Sequence, residues 1–564
     1  MIRPSSGADP ALGERQSLLS GNVDSNPADY KAAPSRVREA SIAKSQDEEA
    51  ADNEHAAPVH QTPPGFWGVV ACLLIGVIVA NVDTSLVLAN FGQIGSEFGR
   101  LDDANWMLVG YQLGILSTQS MYGKLSDIFG RKPLLLFAYT LFATGCLWIG
   151  TSTEFWHIIV GRVISGIGGA GMTSVVSILL NDLVPLRELA AWRSYVYIAA
   201  TAGRALGAPL GGYMIDTVGW RWSFLGQVPV ALLAIIMVYL KLDIPHKTQC
   251  LTLRQRFQRI DFLGAATLAA SLSLLLVFFD EAGKRLSTQN VLLVSAGVGS
   301  VVLGALFFFI EGYIAREPIL SLRVLTNRDV VSVYSILGLT TGSQVAFVTT
   351  ISIYFVITLG VSNANAASRI IFGSIAHASG GLVAGILIKR TGRYKRYLIF
   401  AICLSAASLL LITIRWRGHT NIFETAYIAP AAFGIGLINT VAFIALTASV
   451  SYKDQAMATS GFYLCDNLGL VIITSLGNAV LQLALNKRLH VKLWDIPSER
   501  REEIIHQVMT SIWNIRDLPD NMRGKAVEAF VEALQWDHGM STAIYVLSLV
   551  ICVVFLREYS FDGR

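Results

Sequence analysis

Charge is scarce in this sequence. Asp, Glu, Lys and Arg make up 15% of its 564 residues, where soluble domains carry about 25%. Hydrophobic residues make up 53% and the mean hydropathy is +0.51, so most of the chain does not face water and a soluble enzyme is a poor fit. An excess of one sign is missing too. The 44 basic residues stand against 40 acidic ones, which is too balanced for a nucleic-acid binder. Cysteine is sparse and unpatterned. None of the six shows a CxxC spacing, and Cys72, Cys146, Cys403, Cys465 and Cys552 lie inside apolar runs, where they act as small hydrophobes. A disulfide-stapled secreted domain and a zinc module are therefore excluded, and no metal or cofactor is expected. No GxxxxGK[ST] loop occurs, which argues against an ATP-driven pump. No apolar core follows the first basic residues. Residues 1–64, rich in Ala, Ser, Pro, Asp and Glu, read as a disordered tail and not as a secretory signal.

What the chain does have is long apolar runs. A membrane-crossing helix needs about 20 predominantly apolar residues. Fourteen runs qualify: 66–90, 104–123, 133–151, 155–180, 191–216, 223–241, 261–279, 291–311, 330–359, 365–388, 397–414, 424–450, 456–484 and 540–556. The expected fold is an all-α membrane protein. Basic residues mark its orientation. If the amino terminus lies in the cytosol, Lys124, Arg131 and Lys132, then Arg187 and Arg193, then the clusters at 241–259, 316–328 and 389–396, and Lys453, all fall in cytosolic loops. The opposite short loops carry only Arg100, Arg221, Lys284, Arg285, Arg415 and Arg417. A long loop on that far side, 486–539, contains amphipathic stretches that predict short surface helices.

The loop after the second run reads Gly123-Lys-Leu-Ser-Asp127-Ile-Phe-Gly130-Arg131-Lys132. A glycine there lets two helix ends approach, and Asp127 can pair with Arg131 as a conformational latch. The fourth run carries Gly161-Arg162-Val-Ile-Ser-Gly166-Ile-Gly168-Gly169. The fifth carries Gly203-Arg204-Ala-Leu-Gly207-Ala-Pro209-Leu-Gly211-Gly212, small residues that suit close helix packing. Gly219-Trp220-Arg221 and Gln227-Val-Pro229 follow, and Lys389–Arg396 reads as a degenerate second copy of the first loop.

Together these segments resemble the major facilitator superfamily and, within it, the 14-helix drug:proton antiporter group. Asn81-Val-Asp83-Thr-Ser85, "DLVPLRE" and "GRALGAPLGG" extend the resemblance to the fungal vacuolar basic amino-acid transporter family, from about residue 66 to 556. Two positions depart from that pattern: Asp466 stands where the group has arginine, and Tyr197 where it has asparagine. The resemblance implies two six-helix halves (65–242 and 329–556) related by an internal repeat, with an inserted helix pair between them (243–328) and a cytosolic end at 557–564. It also implies a proton-coupled antiporter that rocks around a central site, uses the proton gradient in place of a cofactor, and ties the arginine of the fourth helix to proton coupling.

Ionisable residues inside a membrane are costly, and each is a functional hypothesis. At 1.5 Å per residue Asp83 lies about 25 Å from the cytosolic face, Arg162 about 10 Å from the far face, and Arg204 about 20 Å from the cytosol. All three share one slab, so Asp83 can pair with either arginine. A carboxylate that takes up a proton beside a fixed arginine is a workable switch, which assigns proton coupling to Asp83 and Arg162. Asp466, about 15 Å into its helix, can receive a cationic amine near the midplane. With Arg204, Asn81, Tyr463 and Asn467 it forms the expected substrate cavity. Trp106, Tyr111, Gln112, Gln344 and Asn439 are further wall positions, and Arg369 and His377 share a helix face eight residues apart. In the tail, Glu14-Arg-Gln-Ser-Leu18-Leu19 looks like an acidic dileucine signal that a clathrin-type adaptor would read for vacuolar delivery. Import of basic amino acids into the vacuole is the reading that follows. Export of drugs or secondary metabolites at the plasma membrane is the alternative, and a non-transporting receptor on the same fold the third.

Overall fold

A computed structural model describes residues 66–100, 103–242, 252–284, 291–315, 317–320, 322–360, 363–418, 420–510, 514–515 and 518–559. Glu14, Leu18, Leu19 and the rest of the tail lie outside the described residues. Among the described residues there is no strand. A bilayer core offers no water to satisfy backbone groups, so an apolar chain of this kind satisfies them within helices.

The first part of the chain contains α1 (Phe66–Glu97), α2 (Trp106–Thr118), α3 (Met121–Phe129), α4 (Arg131–Gly150), α5 (Phe155–Leu183), α6 (Leu186–Thr217), α7 (Trp220–Leu225) and α8 (Gln227–Lys241). After a short α9 (Leu253–Gln258) come the pair α10 (Phe262–Lys284) and α11 (Val291–Tyr313), and then α12 (Leu322–Leu325). The remainder is α13 (Arg328–Leu359), α14 (Asn363–Thr391), α15 (Lys395–Arg415), α16 (Ile428–Ser449), α17 (Gln455–Lys492), α18 (Ser498–Thr510) and α19 (Asp520–Phe555).

Among the described residues twelve helical segments are long and apolar enough to cross a membrane, against the fourteen expected. The two others exist as helix but miss that criterion for visible reasons. The second is interrupted at Gln119–Ser120 between α2 and α3, which leaves pieces of 13 and 9 residues, each too short; next to the break the Ser117 and Thr118 hydroxyls both donate to the Gly114 carbonyl. The fifth, α6, starts at Leu186 and includes Glu188, Arg193, Arg204 and Asp216. Its start corrects one expectation. Arg193 is not in a cytosolic loop but inside α6 and fully buried: it stands within the apolar run itself, and the helix begins five residues before that run.

The long far-side loop is also corrected. "GKAVEAFVEALQ" is not a separate surface helix but the first part of α19. With 38 and 36 residues, α17 and α19 are about 57 and 54 Å long, well beyond the roughly 30 Å of a hydrocarbon core. Past the bundle their apolar stripe continues through Leu481, Leu485 and Leu489 on α17 and Ala526, Phe530 and Leu534 on α19, all buried. Arg488–Glu532, Lys492–Glu528 and Lys525–Asp495 ion pairs flank it. Hydropathy falls where the helices leave the membrane, but the helical period does not, and the pairing keeps them whole.

Helix pairing repeats. In the first part α1 packs on α6, α2 on α5, α4 on α5, and α8 on both α1 and α4. In the second part α13 packs on α17, α14 on α16, α15 on α16, and α19 on both α13 and α15. The pair α10–α11 has no counterpart. It lies against α2 and α17, where Leu268, Leu272, Leu276 and Phe307 form a small core with Leu116 and Leu464. Its outer face is Val294, Val298, Val301, Val302, Phe308 and Phe309, a surface suited to hydrocarbon and not to water.

Two polar clasps fix this pair to α2–α3: Asn105 Nδ2 donates to Asp280 at 3.0 Å at one end, and Glu317 meets both Lys124 (2.6 Å) and Arg259 (2.7 Å) at the other. Partial burial raises the Glu317 carboxyl, but the hydrogen bonds and charges of Arg259 and Lys124 outweigh it and hold it below the usual carboxylate range. A depressed value means that the clasp contributes above the unfolded carboxyl's range and is lost as pH falls through the folded one. Acidification, or Glu317→Gln at neutral pH, should therefore speed hydrogen exchange around residues 317–325. Unchanged exchange in both would show that the clasp holds nothing.

Candidate functional site

A fully buried pair of opposite charges sits where α1, α2, α5 and α8 meet. Arg162 Nη1 lies 2.5 Å from Asp83 Oδ2, and neither side chain is exposed at all. Arg162 Nε donates to the Met107 carbonyl at 3.1 Å, and its guanidinium lies 4.1 Å from the centre of the Tyr111 ring. The second Asp83 oxygen accepts from Gln227 Nε2 at 3.2 Å, while the same amide nitrogen donates to the Ser223 carbonyl. Arg162 Nη2 has no partner. Of the two arginines placed beside Asp83 by depth, the one that pairs is Arg162. Depth along a helix leaves azimuth open, and α6 turns Arg204 elsewhere.

The glycines of α6 explain how α1 is held. A Cβ built on Gly207 would lie 2.4 Å from the Val82 carbonyl oxygen, and one on Gly203 2.6 Å from that of Ile78. Gly211 backs onto Asn90 and Leu86, whereas Gly212 faces open space. Pro209 lies within α6, about two turns from its far end, on an exposed face. Backbone-to-backbone contact of this kind is available only to small residues. It sets the register that carries Asp83 to Arg162. Gly207→Val should jam α1 against α6 and cut correctly assembled protein several-fold, measured by detergent-extracted monodisperse yield. Full yield would show that the close approach is dispensable.

A second group lies between the two repeats. Arg204, Asp466 and Tyr197 are close enough for their charges and dipoles to act on one another, and His377 on α14 feels Arg204. Asn439 on α16 lies 3.5 Å from His377 Nε2, and its Oδ1 has no partner. Arg369 does not join this group: it lies over the Phe355 ring and reaches Thr425. Asn81 and Asn467 turn back to their own helices, donating to the Val77 and Tyr463 carbonyls. Gln344 and Gln112 are half-buried, and the Gln112 Oε1 is unpartnered.

Towards the signature loop the repeats close on each other. Arg193 Nη1 donates to Ser177 Oγ at 2.6 Å and to the Tyr463 hydroxyl at 2.8 Å, and its guanidinium lies 3.7 Å from the Phe443 ring centre. One side chain thus ties α5 and α6 to α16 and α17. Ser194 Oγ donates to the Gly381 carbonyl at 2.6 Å. Gly123 faces the Ala456 carbonyl so closely that a Cβ would stand 2.6 Å from it. The latch residues meet here: Arg131 bonds Asp127 at 2.5 Å and Asp182 at 2.8 Å, and the Tyr452 hydroxyl donates to Asp182 at 3.4 Å. Gly130, at φ 95°, makes the turn into α4 in a region that favours glycine. Asp182 and Gln227 were visible in the sequence only as members of motifs, without a partner. Arg193 was hidden by its resemblance to a loop residue.

Known proteins agree with this geometry. Residues 73–474 match the Major Facilitator Superfamily. The chain is 28% identical to the vacuolar membrane amino acid uptake transporter fnx2 of Schizosaccharomyces pombe, over 87% of this chain and 84% of that one. It is 29% identical to the multidrug resistance protein fnx1 of the same organism, over 87% and 93%. It is 26% identical to vacuolar basic amino acid transporter 2 of Saccharomyces cerevisiae, over 80% and 97%. The solved structure of the human organic anion transporter MFSD10 superposes with a TM-score of 0.57 at 14% identity, covering 87% of this chain and all of that one, a likeness of fold. With its repeated helix pairs, its membrane-crossing segments and a family match over most of its length, the chain belongs to the Major Facilitator Superfamily and is a multi-pass membrane transporter, not an enzyme.

Proposed function

We propose that this transporter is a proton-coupled antiporter that carries basic amino acids from the cytosol into the vacuole. The observation that carries the coupling is the Asp83–Arg162 pair, fully buried at 2.5 Å with one guanidinium nitrogen left unpartnered. Protonating Asp83 removes one charge from the pair and leaves Arg162 held by the Met107 carbonyl and the Tyr111 face. Such a change in a dry layer alters the free energy of α1 against α5 by kilocalories, enough to bias which arrangement of the two repeats is favoured. The contacts of Arg193, Gly123 and the Asp127–Arg131–Asp182 cluster close the signature end. Alternating access requires these to part while the opposite end closes.

The substrate class rests on the central charges and on the relatives. Arg204 and Asp466 offer one cation and one carboxylate, complementary to an α-carboxylate and an amine, with Tyr463, Asn81 and Asn467 on the wall. Two relatives are named for vacuolar amino acid transport, one of them for basic amino acids. The vacuolar destination is supported by those names and by the Glu14, Leu18, Leu19 signal in the tail, which a sorting adaptor would read. Replacing Leu18 and Leu19 by Ala should move a fluorescently tagged protein away from the vacuole.

The test is uptake of radiolabelled lysine, arginine and histidine into vacuolar vesicles, which should collapse with a protonophore. Uptake indifferent to the proton gradient would overturn the antiport reading. A second reading, efflux of drugs, is favoured by the multidrug relative. A surface location together with drug sensitivity on deletion would decide for it.

A further inference from the structure

The repeat in helix pairing has a consequence for the second half. The helices α1 and α8, whose contact brings Gln227 to Asp83, correspond to α13 and α19. The α13–α19 contact also holds an acid, now on the other helix of the pair. Asp537 on α19 is completely buried, and neither of its oxygens has a hydrogen-bond partner. Thr350 of α13 lies within hydrogen-bonding reach, but its single hydroxyl proton is directed at the Ala346 and Phe347 carbonyls of its own helix. On α17, Gly477 makes the room: a Cβ there would stand 2.8 Å from Asp537 Oδ1.

The surroundings are polar without being charged. Ser541 Oγ, one turn along α19, and Thr474 Oγ1, one turn before Gly477, are buried without partners. His538 is buried, its Nε2 is unpartnered, and its ring faces Phe347 and Trp416 at centroid distances of 5.2 and 6.5 Å. Trp416 follows α15, has an unpartnered Nε1, and stacks on Tyr354 of α13. The titratable groups of this cluster are thus Asp537, His538 and, behind Trp416, Tyr354. Among the described residues no charged side chain acts on Asp537. Nor do the described residues contain a set of three His, Cys, Asp or Glu side chains able to hold a metal ion.

In the first half the buried acid is neutralised by Arg162. In the second half the corresponding position has an acid and no arginine. A buried carboxylate without a counter-charge is far too costly to persist ionised, so a proton must do there what Arg162 does for Asp83.

We infer that Asp537 is a second proton-binding site of this transporter, reached from the end at which α17 and α19 project. Asp537 lies about 25 Å from the projecting tip of α19 and about 27 Å from its signature-side end, at the base of the projecting pair. The step is a plain acid–base exchange. When α19 parts from α13 and α17, water reaches the carboxyl and takes its proton as hydronium. When a proton returns from the same side, the neutral acid lets α19 close on Gly477 again. Protonation itself is independent of the antiport reading. Its consequence for transport rests on that reading.

The experiment uses the full chain in lipid nanodiscs and follows the carboxylic-acid C=O stretch by infrared difference spectroscopy through a pH titration. The wild type should show a protonated-acid band that fades as pH rises, and Asp537→Asn should lack that component. Identical spectra for wild type and variant overturn the inference. Gly477→Ala keeps the acid but crowds Oδ1, so the midpoint of the band should move; a band that stays unmoved belongs to another residue and also overturns it. In proteoliposomes, Asp537→Asn should flatten the dependence of uptake on pH at the projecting side several-fold while retaining the acid-side rate. Coincident profiles would overturn the coupling. If basic amino acids are not carried at all, the antiport reading fails while the infrared titration still decides the site.

Discussion

Asp83→Asn should abolish proton-coupled uptake and leave a protein that can no longer exchange substrate for protons. The variant keeps the shape of the side chain and its contact with Gln227, but loses the negative charge and with it the ability to change charge. It also leaves Arg162 buried without its counter-ion. Removing one partner of a buried pair typically costs about 3–5 kcal/mol, so lower assembly is expected alongside the loss of transport. The double variant Asp83→Asn with Arg162→Gln separates the two effects. Removing both charges should restore monodisperse yield towards wild type while uptake stays absent. If either variant transports with a normal response to a protonophore, the pair is a structural tie and coupling lies elsewhere. Arg162→Lys is not a conservative control. The guanidinium reaches Asp83 with Nη1 and the Met107 carbonyl with Nε while lying on the Tyr111 ring, and an ammonium supplies neither fork nor plane.

The second large effect is expected at Arg193. This cation is buried without a carboxylate partner; its Nη1 donates to two hydroxyls and its plane lies on the face of Phe443, while its Nε is left unpartnered. It joins the two repeats at the signature end, so Arg193→Ala removes a contact made only while that end is closed. The closed arrangement should lose about 2 kcal/mol or more, the scale of a desolvated cation–π contact together with charged hydrogen bonds. That is a shift of more than tenfold in the balance between arrangements. A cysteine placed at Ser460, against Gly123, should then react with a membrane-impermeant thiol reagent added at the cytosolic side more than tenfold faster in the Arg193→Ala background. Equal rates would mean that the signature-loop cluster holds this end closed without Arg193.

How much of this was legible beforehand depended on which physical signal each residue carried. The apolar runs located the membrane helices, because the bilayer demands both length and apolarity. The intramembrane charges Asp83 and Arg162 stood out for the same reason. The latch could be read as a unit because Asp127 and Arg131 are four residues apart on the chain. The start of α6, and with it the place of Arg193, was not legible: a charged side chain buried against an aromatic ring looks the same in sequence as one in water. The unbroken α17 and α19 were missed because only each other's apolar stripe distinguishes them from surface helices. Asp537 fell inside the supposed loop for that reason.

The sequence by itself determined that this chain lives in a membrane, that its helices alternate across it, and that it carries the signatures of a facilitator, since hydropathy, period and motif are properties of contiguous residues. Only the tertiary structure decided which charges meet. Asp83 chose Arg162 over Arg204, Arg204 came only within electrostatic reach of Asp466, Arg193 became a tie between the repeats, and Asp537 was left without a counter-charge. Partner choice depends on how each helix is rotated about its axis. That rotation is fixed by contacts such as Gly207 on Val82, between residues far apart in the chain.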